Sequence, residues 1–310
     1  MARIGFLGPL GTFTEQALLT QPDLAAADLV PLATIPDVLA ATHTGEVDLG
    51  FVPIENSIEG GVNVTLDTLA FEADLLVQRE VVINIVLNLL APPGVGLDSI
   101  ATVISHPQAL PQVRGFLAAK LPGAVIRAAN STAEAARVVG EEREPHTGAV
   151  GTALAAQLYG LDVLAADIED HPENQTRFVV VAREGVPGPT GHDKTTIVCF
   201  QHADRPGSLL GILQEFAARS INLTYLSSRP TKTALGEYCF LIDLEGHVAD
   251  EVVADSLRAL RAKLADVKFL GSYPAAGEHG EAVRRDAVAA WREADEWLSG
   301  IRSAIAGPSR

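Results

Sequence analysis

The residues best suited to chemistry in this 310-residue chain stand in four short segments. In Asn174-Gln175-Thr176-Arg177-Phe178 a hydroxyl and a guanidinium sit side by side at the start of an apolar run. Residues 1–185 contain nine Lys or Arg, and Arg177 is the one that directly follows the polar run Asn174-Gln175-Thr176. Its planar fork suits a carboxylate; pairing with Glu169, Asp170 or Glu173 is the structural alternative. Gly8-Pro9-Leu10-Gly11-Thr12-Phe13-Thr14-Glu15 reads as a Gly turn opening a helix. Such a turn aims backbone N–H groups from Gly11 onward at an anion, or Thr12 simply caps the helix. It is neither a dinucleotide fingerprint nor a phosphate loop. Val52-Pro53-Ile54-Glu55-Asn56-Ser57 closes a strand, where open α/β sheets place ligands. Ser105-His106-Pro107-Gln108-Ala109-Leu110-Pro111-Gln112 is another strand end, with Gln108 and Gln112 four residues apart on one helix face. His106 reads as a structural hydrogen-bonding residue sooner than as a general base.

The elements that must position these residues alternate in type. Strands are predicted at Ile4–Leu7, Leu49–Ile54, Leu75–Leu90, Thr102–Ser105, Val125–Ala128, Gly148–Gly151 and Arg177–Ala182, with helices between, among them Pro107–Lys120. That alternation implies an α/β domain with largely parallel sheets. The long strand material at 75–90 falls where a crossover between two lobes belongs. Gly185–Gly191 is dense in breakers and reads as a linker. Beyond it, strands at Thr195–Gln201, Asn222–Ser227, Glu237–Leu244 and Val267–Leu270 and helices at Ser208–Arg219 and Glu251–Leu264 spell βαββαβ, the ferredoxin-like order. A last helical stretch aligns Ala287, Trp291, Ala294, Leu298, Ile301 and Ile305 on one stripe. The expected domains are 1–188 in two lobes, 194–273, and a helical tail 277–310.

The formal net charge of −16 argues against a nucleic-acid partner. It also repels anions at long range, so an anionic substrate needs local donors. Val81–Ala91 is too short and too interrupted by Asn to span a membrane. The start carries no basic segment followed by an apolar one. Cys199 and Cys239 lack metal-type spacing and read as reduced buried thiols. A cytoplasmic location is expected.

Taken together, GPLGTFTEQA, VPIENSIEG, SHPQALPQ and NQTRF resemble the catalytic domain of the prephenate dehydratase family, and the second domain resembles an appended ACT domain. The resemblance implies a two-lobed, periplasmic-binding-protein-like catalytic domain with a cleft. It implies decarboxylative dehydration of prephenate to phenylpyruvate, a carbon–oxygen lyase reaction of phenylalanine synthesis needing no cofactor and no metal. Thr176 would then be catalytic, donating to the departing ring hydroxyl, and Arg177 would hold a carboxylate. Asn56, Ser105, Gln112, Gly11, Thr12 and Glu55 match positions linked to substrate binding, although Glu55 could instead be structural.

In the second domain Arg205-Pro206-Gly207-Ser208-Leu209-Leu210 and Leu226-Ser227-Ser228-Arg229-Pro230 carry the resemblance. Ser208 and Ser227 stand where the family usually has Ala and Glu. The resemblance implies phenylalanine as allosteric ligand at Gly207, Ser208, Leu209, Leu210, Asn222, Leu223, Ser227, Ser228, Arg229 and Pro230. It implies a homo-oligomer paired through ACT domains, as a dimer extending to a tetramer. A chain cut near Gly191 is expected to keep some catalysis and lose the response. Arogenate dehydratase and a non-catalytic two-lobed sensor remain the alternatives.

Overall fold

A computed structural model describes residues 2–203, 205–232, 236–276 and 296–303. The chain forms two compact units: the N-terminal residues to Thr68 with Val81–Arg183, and Leu69–Glu80 with the chain from Glu184 onward.

The first unit begins with β1 (Arg3–Leu7), α1 (Phe13–Leu19), α2 (Pro22–Ala25), β2 (Asp28–Leu32), α3 (Ile35–Thr44), β3 (Leu49–Asn56), β4 (Gly60–Gly61) and α4 (Asn63–Asp67). A π-helical turn, Thr68–Glu72, leads to β5 (Leu76–Asn84), whose residues up to Glu80 belong with the second unit, and then to β6 (Asn88–Ala91). Then come β7 (Thr102–Ser105), α5 (Arg114–Lys120), β8 (Val125–Ala128), α6 (Thr132–Glu142), β9 (Thr147–Gly151), α7 (Ala153–Tyr159), β10 (Asp162–Ala165) and β11 (Gln175–Ala182). Two sheets result. One has the order β2-β1-β3-β11-β5 with β4 on β3; the other runs β10-β6-β9-β7-β8. The chain crosses between these lobes after β5 and returns before β11.

Local chemistry sets the helix starts. Thr12, Thr34, Ser131 and Thr152 each accept a backbone N–H three residues on, satisfying donors that a helix leaves open. The first lobe's core is Ile4, Phe6, Leu18, Phe51, Phe178 and Val180, with Phe51 and Phe178 stacked at 5.4 Å. The second lobe buries Leu87, Leu89, Val103 and Val150 on one face of its sheet and Leu90, Ile104, Ala149 and Ala155 on the other. Phe13 and Ile83 pack against the cores of both lobes.

The second unit contains β12 (Asp193–Phe200), α8 (Ser208–Ala217), β13 (Leu223–Pro230), β14 (Tyr238–Glu245), α9 (Glu251–Lys263) and β15 (Asp266–Pro274). The sheet is antiparallel in the order β13-β14-β12-β15, the expected βαββαβ arrangement. Ile197, Cys199, Ile242 and Leu244 meet Ile212, Phe216, Val253 and Leu260 from the two helices. Cys199 and Cys239 are both free and buried. Burial, then the neighbouring Cys239, pushes the Cys199 thiol up to about 12, so it stays protonated.

The structure departs from the sequence expectations at several elements. The predicted strand 75–90 is two strands, β5 and β6. The predicted helix 107–120 is a 3-10 turn, Leu110–Val113, followed by α5; Pro111 favours a helix start over an interior position. β2, α7 and β10 lie outside the predicted elements. Of the tail, 296–303 is helical, with Trp297 and Ile301 exposed. Ala287, Trp291, Ala294 and Ile305 lie outside the described residues.

The largest departure is the excursion Leu69–Glu80. Leu69, Leu75 and Val77 are buried. A Cβ on Gly271 of β15 would stand 2.5 Å from the Val77 carbonyl oxygen. Phe71 meets Phe200 edge-on at 6.1 Å. Lys268 Nζ donates to Ala73 O at 2.9 Å. Glu80, its side chain 0% exposed, accepts from Lys194 Nζ at 2.9 Å and from the Ala276 N–H at 2.6 Å. A chain cut near Gly191 would therefore bare an apolar surface, and the expectation that it keeps catalysis no longer follows.

Lys194→Met removes this cation and leaves the carboxylate buried. Unfolding in urea should then require about 2–4 kcal/mol less, somewhat under the usual figure for a broken buried pair because Lys194 is partly exposed. A loss near zero would class the pair with weak surface bridges.

Candidate active site

β3 and β11 run antiparallel, so two segments about 120 residues apart meet side by side. Thr176 lies opposite Asn56, and Arg177 opposite Glu55. The register shifts between Arg177 and Phe178, which next faces Pro53. Proline has no N–H for a ladder, so an irregularity at that point is physically natural. Asn56 Nδ2 donates to Thr176 Oγ1 at 2.9 Å and also lies 3.1 Å from Gln175 O. Asn56 Oδ1 accepts the N–H groups of Ile58 and Glu59, both at 2.9 Å. Arg177 Nη1 stands 3.4 Å from Glu55 Oε2. Thr176 and Arg177 are 9% and 8% exposed, so both are held within the protein yet can reach its surface.

Gln112, from the second lobe, reaches the same group. Its Oε1 accepts from Asn174 Nδ2 at 2.9 Å, and Asn174 Oδ1 accepts from Asn56 Nδ2 at 2.8 Å. Ser57 Oγ adds a 3.3 Å bond to Asn174 and accepts the Gln175 N–H at 2.9 Å. Gln175 Nε2 donates to Asn84 Oδ1 at 2.9 Å.

Three candidates stand differently from their expected positions. Ser105 is fully buried, and its hydroxyl donates to Val150 O at 2.8 Å, tying β7 to β9. The Gly11 N–H is not open to an anion, because the Glu15 carboxylate accepts it. Thr12 Oγ1 accepts the Glu15 N–H and donates to Leu7 O. Gly11 and Thr12 thus form a variant of the capping box in which Glu15 takes the N–H of the residue before the N-cap. Instead the turn is gripped by α7. Thr152 Oγ1 donates to Gly11 O at 2.8 Å and the Tyr159 hydroxyl to Leu10 O at 3.0 Å. His106 Nδ1 accepts the Gln108 N–H at 3.3 Å. Burial holds its imidazole below the usual value, which favours the neutral ring at neutral pH.

In the second unit Gly207 caps α8 without a side-chain bond, and Ser208 opens the helix. A cleft of about 390 Å³ is lined by Gln201, Arg205, Gly207, Ser208, Leu209 and Leu210, among others. Gln201 Oε1 is buried without a hydrogen-bond partner, alone in this among the described residues. Leu210 is 58% exposed. β13, carrying Leu223, Ser227, Ser228, Arg229 and Pro230, is an edge strand paired on one side with β14. Asn222 Nδ2 donates to Glu245 Oε1 at 3.1 Å, fixing the entry to that strand.

Residues 4–186 match the family model described as prephenate dehydratase, and residues 195–262 match the ACT domain. The chain belongs to the prephenate dehydratase family. A prephenate dehydratase of Mycolicibacterium vanbaalenii is 43% identical over 316 residues, covering 97% of this chain and 99% of that one. A crystal structure of prephenate dehydratase in complex with L-Phe from Arthrobacter aurescens has 40% identity and a TM-score of 0.88, covering 97% of this chain and all of that one. A structure described as a novel type of quorum quenching acylase has 30% identity and a TM-score of 0.79, covering 88% of this chain and 98% of that one.

Against this family background, the residues that sequence reasoning passed over are Asn174, Ser57, Asn84, Thr152 and Tyr159. Asn174 had a visible signal. It stands in the same short polar run as Thr176, two residues before it. Thr152 and Tyr159 had none, since their partners are carbonyls of a distant turn.

Gly11 sits at φ +88°, and a Cβ there would stand 3.1 Å from Ala155 Cβ. Gly11→Ala should cost at least about 1–2 kcal/mol for the left-handed backbone alone. The midpoint of urea unfolding measures it. An unchanged midpoint would mean that the grip of α7 on this turn does not form in solution.

Proposed function

We propose that this chain is a prephenate dehydratase, a carbon–oxygen lyase regulated by phenylalanine. The observation that carries the reading is the Asn56–Thr176 pair beside Arg177, in a chain of this family. In the reaction, the bond from the ring to the departing carboxylate breaks and releases carbon dioxide. Its electron pair completes the aromatic ring as the carbon–oxygen bond to the ring hydroxyl breaks. The hydroxyl leaves with one proton as water. A free threonine hydroxyl is too weak an acid to protonate it beforehand, so Thr176 acts by a hydrogen bond that strengthens as charge develops. Asn56 donates to the Thr176 oxygen, which stabilises negative charge there as its proton moves toward the leaving group. Arg177 takes a substrate carboxylate, with Glu55 holding the guanidinium in place between turnovers. Gln112 supplies a further polar contact from the other lobe.

A second reading comes from the acylase relative. Acyl transfer by threonine needs a base on the nucleophile's oxygen. The partner of Thr176 Oγ1 is an amide donor, the opposite polarity, so the lyase is favoured. Among the described residues no helix is long and apolar enough to cross a membrane, and the proposed setting is the cytoplasm. The proposed division is a catalytic domain over 1–188, with 69–80 lent to the regulatory unit, an ACT domain over 194–273, and a helical tail. Phenylalanine would sit at the edge formed by α8 and β13, where a second copy pairs, giving a dimer and from it a tetramer. Its carboxylate suits the start of α8, and its ring suits Leu209, Leu210 and Leu223.

Thr176→Ala should lower turnover by roughly 10²–10⁴-fold with the fold intact, while Thr176→Ser keeps measurable activity. Phenylpyruvate formed from prephenate, with arogenate assayed in parallel, reads both. Near-normal turnover in the alanine variant would remove Thr176 from the mechanism.

Phenylalanine should inhibit without competing for the cleft. Leu210→Asp, an exposed change, should weaken phenylalanine binding in calorimetry on the full chain and leave uninhibited turnover as it was. Strict competition with prephenate, unaffected by Leu210→Asp, would place the amino acid in the catalytic cleft instead.

A further inference from the structure

Asn56, Asn174 and Gln112 form one chain of amides with a fixed polarity. The direction is set at one end by the backbone. Asn56 Oδ1 accepts two N–H groups, from Ile58 and Glu59. Turning that amide over would place its NH₂ against two donors, so it does not turn. Asn56 Nδ2 must therefore donate, and it meets Asn174 Oδ1 and Thr176 Oγ1. With Asn174 Oδ1 occupied by a donor, Asn174 Nδ2 faces Gln112 Oε1 at 2.9 Å. Asn174 is 1% exposed, so reversing any link strands a buried polar group.

The consequence appears at the two free ends. Thr176 Oγ1 receives a hydrogen bond, so its own proton is not used by Asn56. Gln112 Oε1 is filled, so its Nε2 is the free group. Neither proton has an acceptor among the described residues. We infer that Asn174 is a positioning residue for the dehydratase reaction: it holds Gln112 with its amide N–H groups, not its carbonyl, toward a substrate carboxylate, and shares with Thr176 the donor Asn56. This deepens the proposed function and rests on it for the identity of the substrate. The orientation of the amides does not rest on it.

Asn174→Asp separates this role from a structural one. The new carboxylate still accepts from Asn56, so the Thr176 contact survives and kcat changes little. Ionised, it cannot donate, so Gln112 turns to give it the amide N–H groups and shows its own carbonyl to the substrate. KM for prephenate should rise about tenfold, equivalent to about 1.4 kcal/mol. In a Gln112→Met background the same Asn174→Asp change should raise KM by a clearly smaller factor, since no amide is left to turn and only the repulsion between the new carboxylate and the substrate remains. An equal rise in both backgrounds, or none in the native one, overturns the inference. Neutron diffraction on the native free protein gives a readout that needs neither the variant to fold nor prephenate to be the substrate. Deuterons must appear on the Gln112 nitrogen pointing away from Asn174; a Gln112 NH₂ directed at Asn174 sinks the inference even if turnover of prephenate is confirmed. Native protein inert toward prephenate but with the amides as assigned would overturn the reaction and keep the polarity.

Discussion

The antiparallel register between β3 and β11 is the constraint on which the rest of the catalytic unit depends. It sets Thr176 against Asn56 and Arg177 against Glu55. Side chains on a strand alternate between faces, so a slip of one residue would move Thr176 away from Asn56 and send Arg177 to the opposite side. What prevents the slip is largely apolar. Phe178 stacks on Phe51 with an interplanar angle of 9°, inside a core that also holds Ile4, Phe6 and Val180. A slipped register would pull these aromatic rings out of a filled interior, at a cost of several kcal/mol. The polar network therefore does not have to hold the strands together. It is free to specify direction, which hydrogen bonds do better than they supply net stability.

Direction matters because of the charge on the chain. At −16 the protein repels anions from a distance, and the substrate proposed for it is a dianion. Attraction has to arise from short-range dipoles and a buried guanidinium. The helix start at Thr12 does not contribute through Gly11, since Glu15 occupies that N–H. The burden falls on Arg177 and on neutral donors. A neutral amide has no intrinsic preference for anions until something fixes which end it presents. Here backbone N–H groups at 58 and 59 do so for Asn56. An acidic protein can in this way offer a locally electropositive site without adding positive charge.

The order of elements and the four motifs were legible in the sequence because they rest on local rules: periodicity, turn residues and short polar clusters. The βαββαβ order after residue 191 is an example, and so is the Asn56–Thr176 region as a pair of strand ends. What could not be read was which ends of these groups face each other. Ser105 looks the same in sequence whether its hydroxyl meets a ligand or Val150 O. Gly11 and Thr12 could be read as an anion turn or a cap, and the deciding residue, Glu15, lay within the same motif. The bonds from Thr152 and Tyr159 to Gly11 and Leu10 join residues about 140 to 150 positions apart, beyond any local pattern.

The excursion at 69–80 shows why a domain boundary drawn in sequence and a compact unit in space are different things. The breakers at 185–191 mark a real change of composition, and family models change over in the same region. Yet the second unit packs against residues that precede the boundary by more than a hundred positions. Gly271 admits Val77 so closely that no side chain fits between them. Lys194 meets a carboxylate with no exposed surface. A buried charge of that kind is stable only with its partner present. The second unit without Leu69–Glu80 would expose Lys194 and the face that Leu75 and Val77 cover, and the excursion without the sheet would leave Glu80 stranded. Separate expression of the two sequence domains therefore removes part of the core of one of them. Function assigned to either piece in isolation would be function measured on a damaged unit.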